Sequence, residues 1–272
     1  MRKRLIAAAS AVAVLVLGVS IAYAQGQVGD NTYTVDLATA KPAGKGSPSK
    51  PKPAKLGFGY EVGAVGGLRP TAIKQYRIAP EGLVTYPKLF KACKFSQASA
   101  LPDPASKCKA AALGKGIVRN QFGAASDRSP AAQVPCNLRL RLYNLSDAGK
   151  LGGMAIRLDG GPGQEPEGGC PNPINETIKA KFFNVKLEGL KTSELRFDVQ
   201  RNLYEPLPGL SNAVIDVSSN VLLKKAKTKI KGKTRTVGYY SKIGCKGKTR
   251  TVRVEFVNLE NQKATATKAG PC

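Results

Sequence analysis

The 272-residue chain carries 43 lysine and arginine residues against 18 acidic ones, a formal charge of +25 at neutral pH, and it contains no histidine. The absence of histidine excludes a Ser-His-Asp triad and histidine-ligated zinc. The large positive charge indicates anionic partners and does not bear on the fold.

The first 24 residues have the three-part pattern of a secretory signal peptide. Arg2, Lys3 and Arg4 precede an apolar run over residues 5–21, and Ala22 and Ala24 supply small residues at the cleavage point. We therefore predict a secreted or extracytoplasmic cell-envelope protein whose residues 25–272 form a single β domain. An uncleaved membrane anchor is the alternative, and after signal removal we expect no transmembrane segment.

The mature chain opens with a β-rich segment at residues 32–37, which predicts a strand. Residues 41–55 follow, and they are rich in proline and lysine. Proline lacks a backbone donor and the lysines repel one another, so this stretch is expected to be an exposed loop or linker outside any sheet interior.

The chain contains six cysteines, an even number, as is typical of exported disulfide proteins. We expect sequential pairing, because each bridge then closes a loop between neighbouring segments. Zinc binding is disfavoured, since no C-x-x-C motif is present. The six residues are Cys93, Cys108, Cys136, Cys170, Cys245 and Cys272.

Apolar and polar residues alternate in several segments, and this pattern predicts strands with one buried face. The apolar members are Leu138, Leu140 and Leu142; Met154, Ile156 and Leu158; Leu195, Phe197 and Val199; Ala213, Ile215 and Val217; and Val252, Val254 and Phe256. The predicted fold is mainly β, an antiparallel β-sandwich or open barrel with one or two short helices.

Helical signals are few. Residues 87–98 are compatible with a short helix. Asn172 and Pro173 resemble a helix start, and Ile174, Ile178 and Phe182 then repeat every four residues. We expect a short helix here that passes into a strand near Phe183.

No catalytic motif is complete. Residues 159–163 and 209–213 resemble an oxyanion-hole turn and a nucleophile elbow, but without histidine the serine has no base. Asp159, Glu165 and Glu167 lie close together on a glycine-rich loop, where a solvated turn is expected in preference to a calcium site. We predict no enzyme activity, no metal and no cofactor. A carboxylate-dependent glycan hydrolase is the alternative, and the lack of tryptophan weakens it.

The strongest chemical feature is an acid-free basic run at residues 224–250, interpreted as a basic hairpin. Alternating lysines share one face of an extended hairpin, where they either bind a polyanion or protect an exposed strand from edge pairing. The candidate polyanion-binding residues are Lys224, Lys225, Lys227, Lys229, Lys231, Lys233, Arg235, Lys246, Lys248 and Arg250.

Four short motifs carry a resemblance to known sequences. They are Phe58-Gly-Tyr-Glu-Val62 with Arg69-Pro70, Cys136-Asn-Leu-Arg-Leu-Arg-Leu-Tyr-Asn144, Pro206-Leu-Pro-Gly-Leu210 and Gly244-Cys-Lys-Gly247. With them the chain resembles a group of uncharacterised exported proteins of high-GC Gram-positive bacteria. The resemblance implies secretion and a disulfide-bearing β domain, and it implies no activity, cofactor or catalytic residue.

These features together predict a binding or structural protein of the cell envelope. The expected partner is an anionic wall polymer or an acidic polysaccharide, and nucleic acid is not expected because no nucleic-acid-binding motif accompanies the charge. A passive protein-interaction module is a further alternative, which requires an exposed apolar patch.

Overall fold

The computed structural model describes residues 26–36, 44–100, 105–165 and 167–272, so the predicted signal peptide lies outside the described part. The strands in chain order are β1 (Gly26–Val28), β2 (Asn31–Asp36), β3 (Lys52–Ala54), β4 (Leu56–Ala64), β5 (Ile73–Pro80), β6 (Leu83–Thr85), β7 (Ala112–Ala124), β8 (Val134–Leu145), β9 (Gly153–Gly160), β10 (Ile174–Leu187), β11 (Leu190–Asp198), β12 (Leu210–Val221), β13 (Lys225–Ile230), β14 (Lys233–Gly238), β15 (Tyr240–Lys242), β16 (Thr249–Asn258) and β17 (Lys263–Pro271). The helices are α1 (Phe95–Ala98), α2 (Ala105–Cys108) and α3 (Arg201–Tyr204).

Twelve strands form one antiparallel sheet in the order β1-β2-β4-β12-β7-β8-β9-β10-β11-β5-β16-β17. The sheet curls until β17 lies against β1 and β2, so that it is nearly closed. The interior carries one contiguous apolar core. The predicted mainly β fold class is thus confirmed.

The segments with alternating apolar and polar residues form strands in which one face is buried, as predicted. Leu138, Leu140 and Leu142 of β8 are buried, whereas the arginines between them are half-buried. Val252 and Val254 of β16 are likewise fully buried. Placing every second side chain in the core fixes the register of each strand, because a shift of one residue would expose the whole apolar set.

The helix expected after Asn172 is absent, and that expectation is wrong. Residues 174–187 form β10, which pairs with β9 on one side and with β11 on the other. A spacing of four is also a multiple of two, so Ile174, Ile178 and Phe182 can share one face of a strand, where Ala180 joins them. Residues 174–181 pair with β9 and residues 181–187 with β11, so backbone hydrogen bonds along the whole segment favour the strand over a short helix.

Two other segments differ in detail from the sequence expectation. Residues 87–98 hold a 3-10 turn (Pro87–Leu89) and the four-residue α1 instead of one helix. In β12 the register shifts between Val214 and Asp216, which is a β-bulge. The bulge breaks the expected alternation and brings Val214 to the interior beside Val217.

The six cysteines form three disulfides, Cys93–Cys108, Cys136–Cys170 and Cys245–Cys272, which is the sequential pairing. Cys93–Cys108 holds a segment with α1 and α2 against the outer face of β8 and β9, where a second, smaller core forms. Disulfides of this kind are characteristic of proteins that work in oxidising compartments.

Two small elements border the large sheet. A three-stranded sheet, β3-β15-β6, includes part of the proline-rich segment, with β3 at its edge. An edge strand tolerates Pro53, because the missing donor then interrupts no ladder. The connection from β11 to β12 contains α3 and joins strands that four other strands separate in the sheet.

Candidate functional site

The basic hairpin consists of β13 and β14, which pair from Lys225–Gly238 to Ile230–Lys233. Lys231 and Gly232 connect them with φ values of 49° and 75°. A two-residue loop with positive φ at both positions has the backbone of a type I′ turn, whose twist matches that of the flanking strands. The hairpin is therefore a defined structural element.

One side of the hairpin, termed here the hairpin face, consists of Lys225, Lys227, Lys229, Thr234 and Thr236. All five side chains are exposed. The lysines alternate along β13, so successive ammonium groups emerge about 7 Å apart. Among the residues that the structure describes, no carboxylate oxygen lies within 4.0 Å of these three lysines.

The opposite side of the hairpin is partly covered. Ala226, Thr228 and Ile230 are half-buried there. Arg235 lies on the same side, and its Nε donates a hydrogen bond to the Ser49 carbonyl at 3.2 Å. The described part of the proline-rich segment therefore contacts the covered side of the hairpin, and the hairpin face stays exposed to solvent.

Three basic segments meet at this end of the molecule, which we term the basic end: residues 44–52, 224–238 and 242–250. Lys45 Nζ donates to the Gly247 carbonyl at 2.8 Å. In the small sheet Lys52 pairs directly with Lys242. Residues 41–55 were expected to form an exposed loop or linker. The pairing of β3 with β15, together with the hydrogen bonds of Lys45 and Ser49, brings the described part of this stretch to the other two segments.

The predicted candidates occupy different environments within the basic end. Lys231, Lys233 and Lys248 are exposed. Lys224 is half-buried at the base of the hairpin and donates to the Ala110 carbonyl at 3.2 Å, and burial lowers the pKa of its ammonium group. Lys246 is exposed and forms an ion pair with Glu188 at 3.1 Å.

Arg250 does not belong to the exposed set, because its side chain is fully buried. Its guanidinium donates to the Glu81 carbonyl. Burial lowers its pKa to about 10, and the nearby Glu81 carboxylate opposes that shift. A sequence signal was available: Arg250 precedes Val252 and Val254 by multiples of two and so shares their buried face.

The buried carboxylates have structural partners. Asp159 accepts a hydrogen bond from Arg157 at 2.7 Å and faces Arg141 at 3.4 Å. The Glu81 carboxylate accepts from the backbone amides of Lys246 and Thr251. Each of these acids is thus held by donors of the fold, which does not favour the paired-carboxylate hydrolase.

The loop acids do not gather into a metal site. Asp159 is buried in the outer wall of β9, whereas Glu165 lies on the exposed turn that follows. Within the described ranges no group of three or more metal-ligating side chains comes together. The same ranges contain no helix with the length and apolar character required to span a lipid bilayer.

The exposed large apolar side chains come from many parts of the chain, including Val134 on β8 and Phe183 on β10. The most exposed of these side chains are Val65, Leu207 and Leu222, at 57%, 55% and 50%. They come from three different connections of the fold. A passive protein-interaction module needs a contiguous apolar patch, and this scatter does not favour one.

The chain was compared with protein-family models, with curated proteins and with solved structures, and none of the three comparisons found a match.

Proposed function

We propose that this is an exported protein of the cell envelope that binds an anionic polymer, either a wall polymer or an acidic polysaccharide, through the hairpin face. The observation that carries the proposal is the set of three exposed lysines on a braced hairpin without a carboxylate partner in the described residues.

Charge spacing supports a polymeric partner. Neighbouring lysines lie about 7 Å apart, within the Debye length of about 8 Å at physiological salt. Their repulsion is therefore only partly screened in the free protein. A linear polyanion with regularly spaced charges would place a negative charge beside each lysine and so offset the repulsion between neighbouring ammonium groups.

The rest of the basic end supports attraction at longer range. Lys50, Lys52 and Lys248 are exposed in the segments that surround the hairpin. Like charges gathered at one end of a molecule raise the local concentration of an anionic partner and accelerate its association. Threonines between the lysines supply hydroxyl groups that can donate to sulfate, phosphate or carboxylate oxygens.

Export rests on the predicted signal peptide and is compatible with the three disulfides. Expression of the full chain in a Gram-positive host, followed by amino-terminal sequencing of the secreted protein, is expected to give Gln25 as the first residue. Retention of Met1 in the cytosolic fraction would contradict export.

Polymer binding is tested by chromatography on immobilised dextran sulfate, polygalacturonate and polyglycerol phosphate, with duplex DNA as a comparison. We expect retention that falls steeply with salt. In the triple variant K225Q/K227Q/K229Q the affinity is expected to fall about tenfold or more, and the slope of log affinity against log salt to fall by about one per lysine.

The matched control is K181Q/K186Q/K191Q, which removes the same number of exposed lysines from β10 and β11. It changes the net charge equally and is expected to lose much less affinity. Equal losses in the two triple variants would mean that overall charge, and not the hairpin face, is responsible. The preferred resin then distinguishes phosphate, sulfate and carboxylate polymers.

A further inference from the structure

The nearly closed sheet surrounds a cavity of about 120 Å³. Its walls come from eight neighbouring strands of the sheet, β4, β5 and β7 to β12, and include Leu140, Ile156 and Leu195. Leu203 and Tyr204 of α3 border it, as does Tyr240 of the small sheet. Among the described residues, no lysine, arginine, aspartate or glutamate lines it.

This cavity is not filled by the protein's own side chains. Phe58, Ile78, Phe197 and Val214 pack against the core and line the cavity, yet each is only partly buried. Interiors are normally packed as densely as organic crystals, and an unfilled apolar cavity costs stability in proportion to its volume. A ligand that fills a cavity of this size would therefore stabilise the folded protein.

Asn212 in the cavity wall has a buried oxygen without a hydrogen-bond partner among the described residues. Its Nδ2 donates to the Leu203 carbonyl at 3.0 Å, which orients the amide, while Oδ1 accepts no bond from the described part of the chain. The Tyr76 hydroxyl also lies in the wall, where it interacts with the Tyr60 hydroxyl. A buried polar atom without a partner is unfavourable, so a bound group that donates to Asn212 Oδ1 gains affinity.

Ionisation does not alter these polar groups near neutral pH. Burial raises the pKa of the Tyr76 hydroxyl above its usual value of 10.0. The tyrosine is therefore a neutral donor or acceptor, and the asparagine oxygen is an acceptor only. A charged ligand would lose its hydration without finding a counter-charge in the wall.

We propose that the interior of the sheet binds a small, neutral, largely apolar molecule of about the size of one aromatic ring, with a hydroxyl or N–H group that donates to Asn212 Oδ1. Apolar cavities of about 150 Å³ accept benzene, and sites of this kind combine an apolar wall with a few oriented polar groups. The site is separate from the hairpin face and does not depend on the polymer proposal.

The test uses fluorinated probes and 19F NMR, because the protein itself contains no fluorine. The probes are 4-fluorophenol, fluorobenzene and 4-fluorobenzoate, which differ in the polar group on one ring. We expect saturable binding of 4-fluorophenol, about fivefold weaker binding of fluorobenzene because one hydrogen bond is lost, and no saturable binding of the anionic 4-fluorobenzoate.

Cavity-filling variants locate the binding site. Ile156→Phe and, independently, Val217→Phe add volume to the wall, and each is expected to weaken 4-fluorophenol binding at least tenfold in protein whose circular dichroism matches the original. The hairpin variant K225Q/K227Q/K229Q is expected to bind the probe unchanged.

Three outcomes overturn the inference: no saturable binding of 4-fluorophenol by the unsubstituted protein, binding unaffected by a folded cavity-filling variant, or equal binding of 4-fluorobenzoate. Any of these would leave the polymer proposal untouched, because that proposal is read from resin retention alone.

Discussion

The hairpin face and the interior of the sheet differ in almost every physical respect. The hairpin face consists of exposed charge on a two-stranded element, and its contacts with the rest of the protein are few. The interior consists of buried apolar side chains from nearly every strand, with isolated polar atoms. Charge at a surface acts at a distance and weakens with salt, whereas a buried cavity acts by shape and exclusion of water. The comparison shows that a charged surface element and an uncharged apolar interior, each suited to a different class of ligand, fit on one fold.

The largest expected effect concerns the buried tyrosines in alkaline solution. Burial raises the pKa of Tyr60, Tyr76, Tyr239 and Tyr240 above the usual 10.0. Above about pH 10 the unfolded state loses these protons while the folded state keeps them, so stability falls as pH rises, by about 1.4 kcal/mol per pH unit for each tyrosine.

Arg250 acts in the opposite direction. Burial lowers its pKa to about 10, so between that value and the higher pKa of an exposed arginine the unfolded state binds the extra proton and stability rises with pH. These four tyrosines and Arg250 together contribute a loss of about 4 kcal/mol per pH unit near pH 11. Urea unfolding at about pH 9, 10 and 11 measures this slope, and Tyr76→Phe is expected to reduce it by about one third, because one tyrosine contributes about 1.4 kcal/mol per pH unit. A flat profile would mean that the tyrosines are not buried as described.

The second prediction contrasts a buried and an exposed acid at the basic end. Glu81 is 1% exposed and accepts two backbone hydrogen bonds beside buried Arg250. Glu81→Gln leaves the Arg250 charge without its counter-charge and is expected to lower the free energy of unfolding by about 3 kcal/mol.

Glu188→Gln is the matched control, since it makes the same change at a surface ion pair with Lys246. Its expected cost is below about 1 kcal/mol, as for other exposed pairs. Denaturant titration measures the free energy of unfolding of both variants. If the two substitutions cost the same, the distinction between the buried cluster and the exposed surface fails.

The smallest expected effect lies in the hairpin turn. Lys231 has a φ of 49°, which a lysine adopts less readily than asparagine or glycine. Lys231→Asn gives the Asn-Gly pair favoured in type I′ turns and is expected to raise the free energy of unfolding by about 0.5 kcal/mol. Thermal unfolding followed by circular dichroism measures the change, and destabilisation would show that the turn has another geometry.

Local patterns in the sequence were sufficient for part of the fold. The alternation in β8 and β16 predicted their buried faces, because every second residue is apolar and the intervening ones are polar. Ile174, Ile178 and Phe182 were misinterpreted because a four-residue spacing fits both a helix and a strand. Only pairing with β9 and β11, which is non-local, resolves that ambiguity.

The candidate sites also differ in how far local sequence patterns could predict them. The lysines of the hairpin are conspicuous in the sequence because five alternate positions from residue 225 to residue 233 carry the same charge. The cavity could not be predicted in this way, since Asn212 and Tyr76 are ordinary strand residues until the sheet closes. The contribution of Lys45 and Lys52 to the basic end likewise depends on pairing between β3 and β15.

The return of β17 beside β1 and β2 has a consequence for biogenesis. Segments from opposite ends of the described chain must meet before the sheet can close, and folds dominated by such non-local pairing form slowly, over milliseconds to seconds. Under the proposed export, a polypeptide translocated amino terminus first would therefore close its sheet only after the last strand had crossed the membrane. Cys93–Cys108 and Cys136–Cys170 join cysteines that lie close in sequence and can pair early, whereas Cys245–Cys272 can form only when the last residue is present.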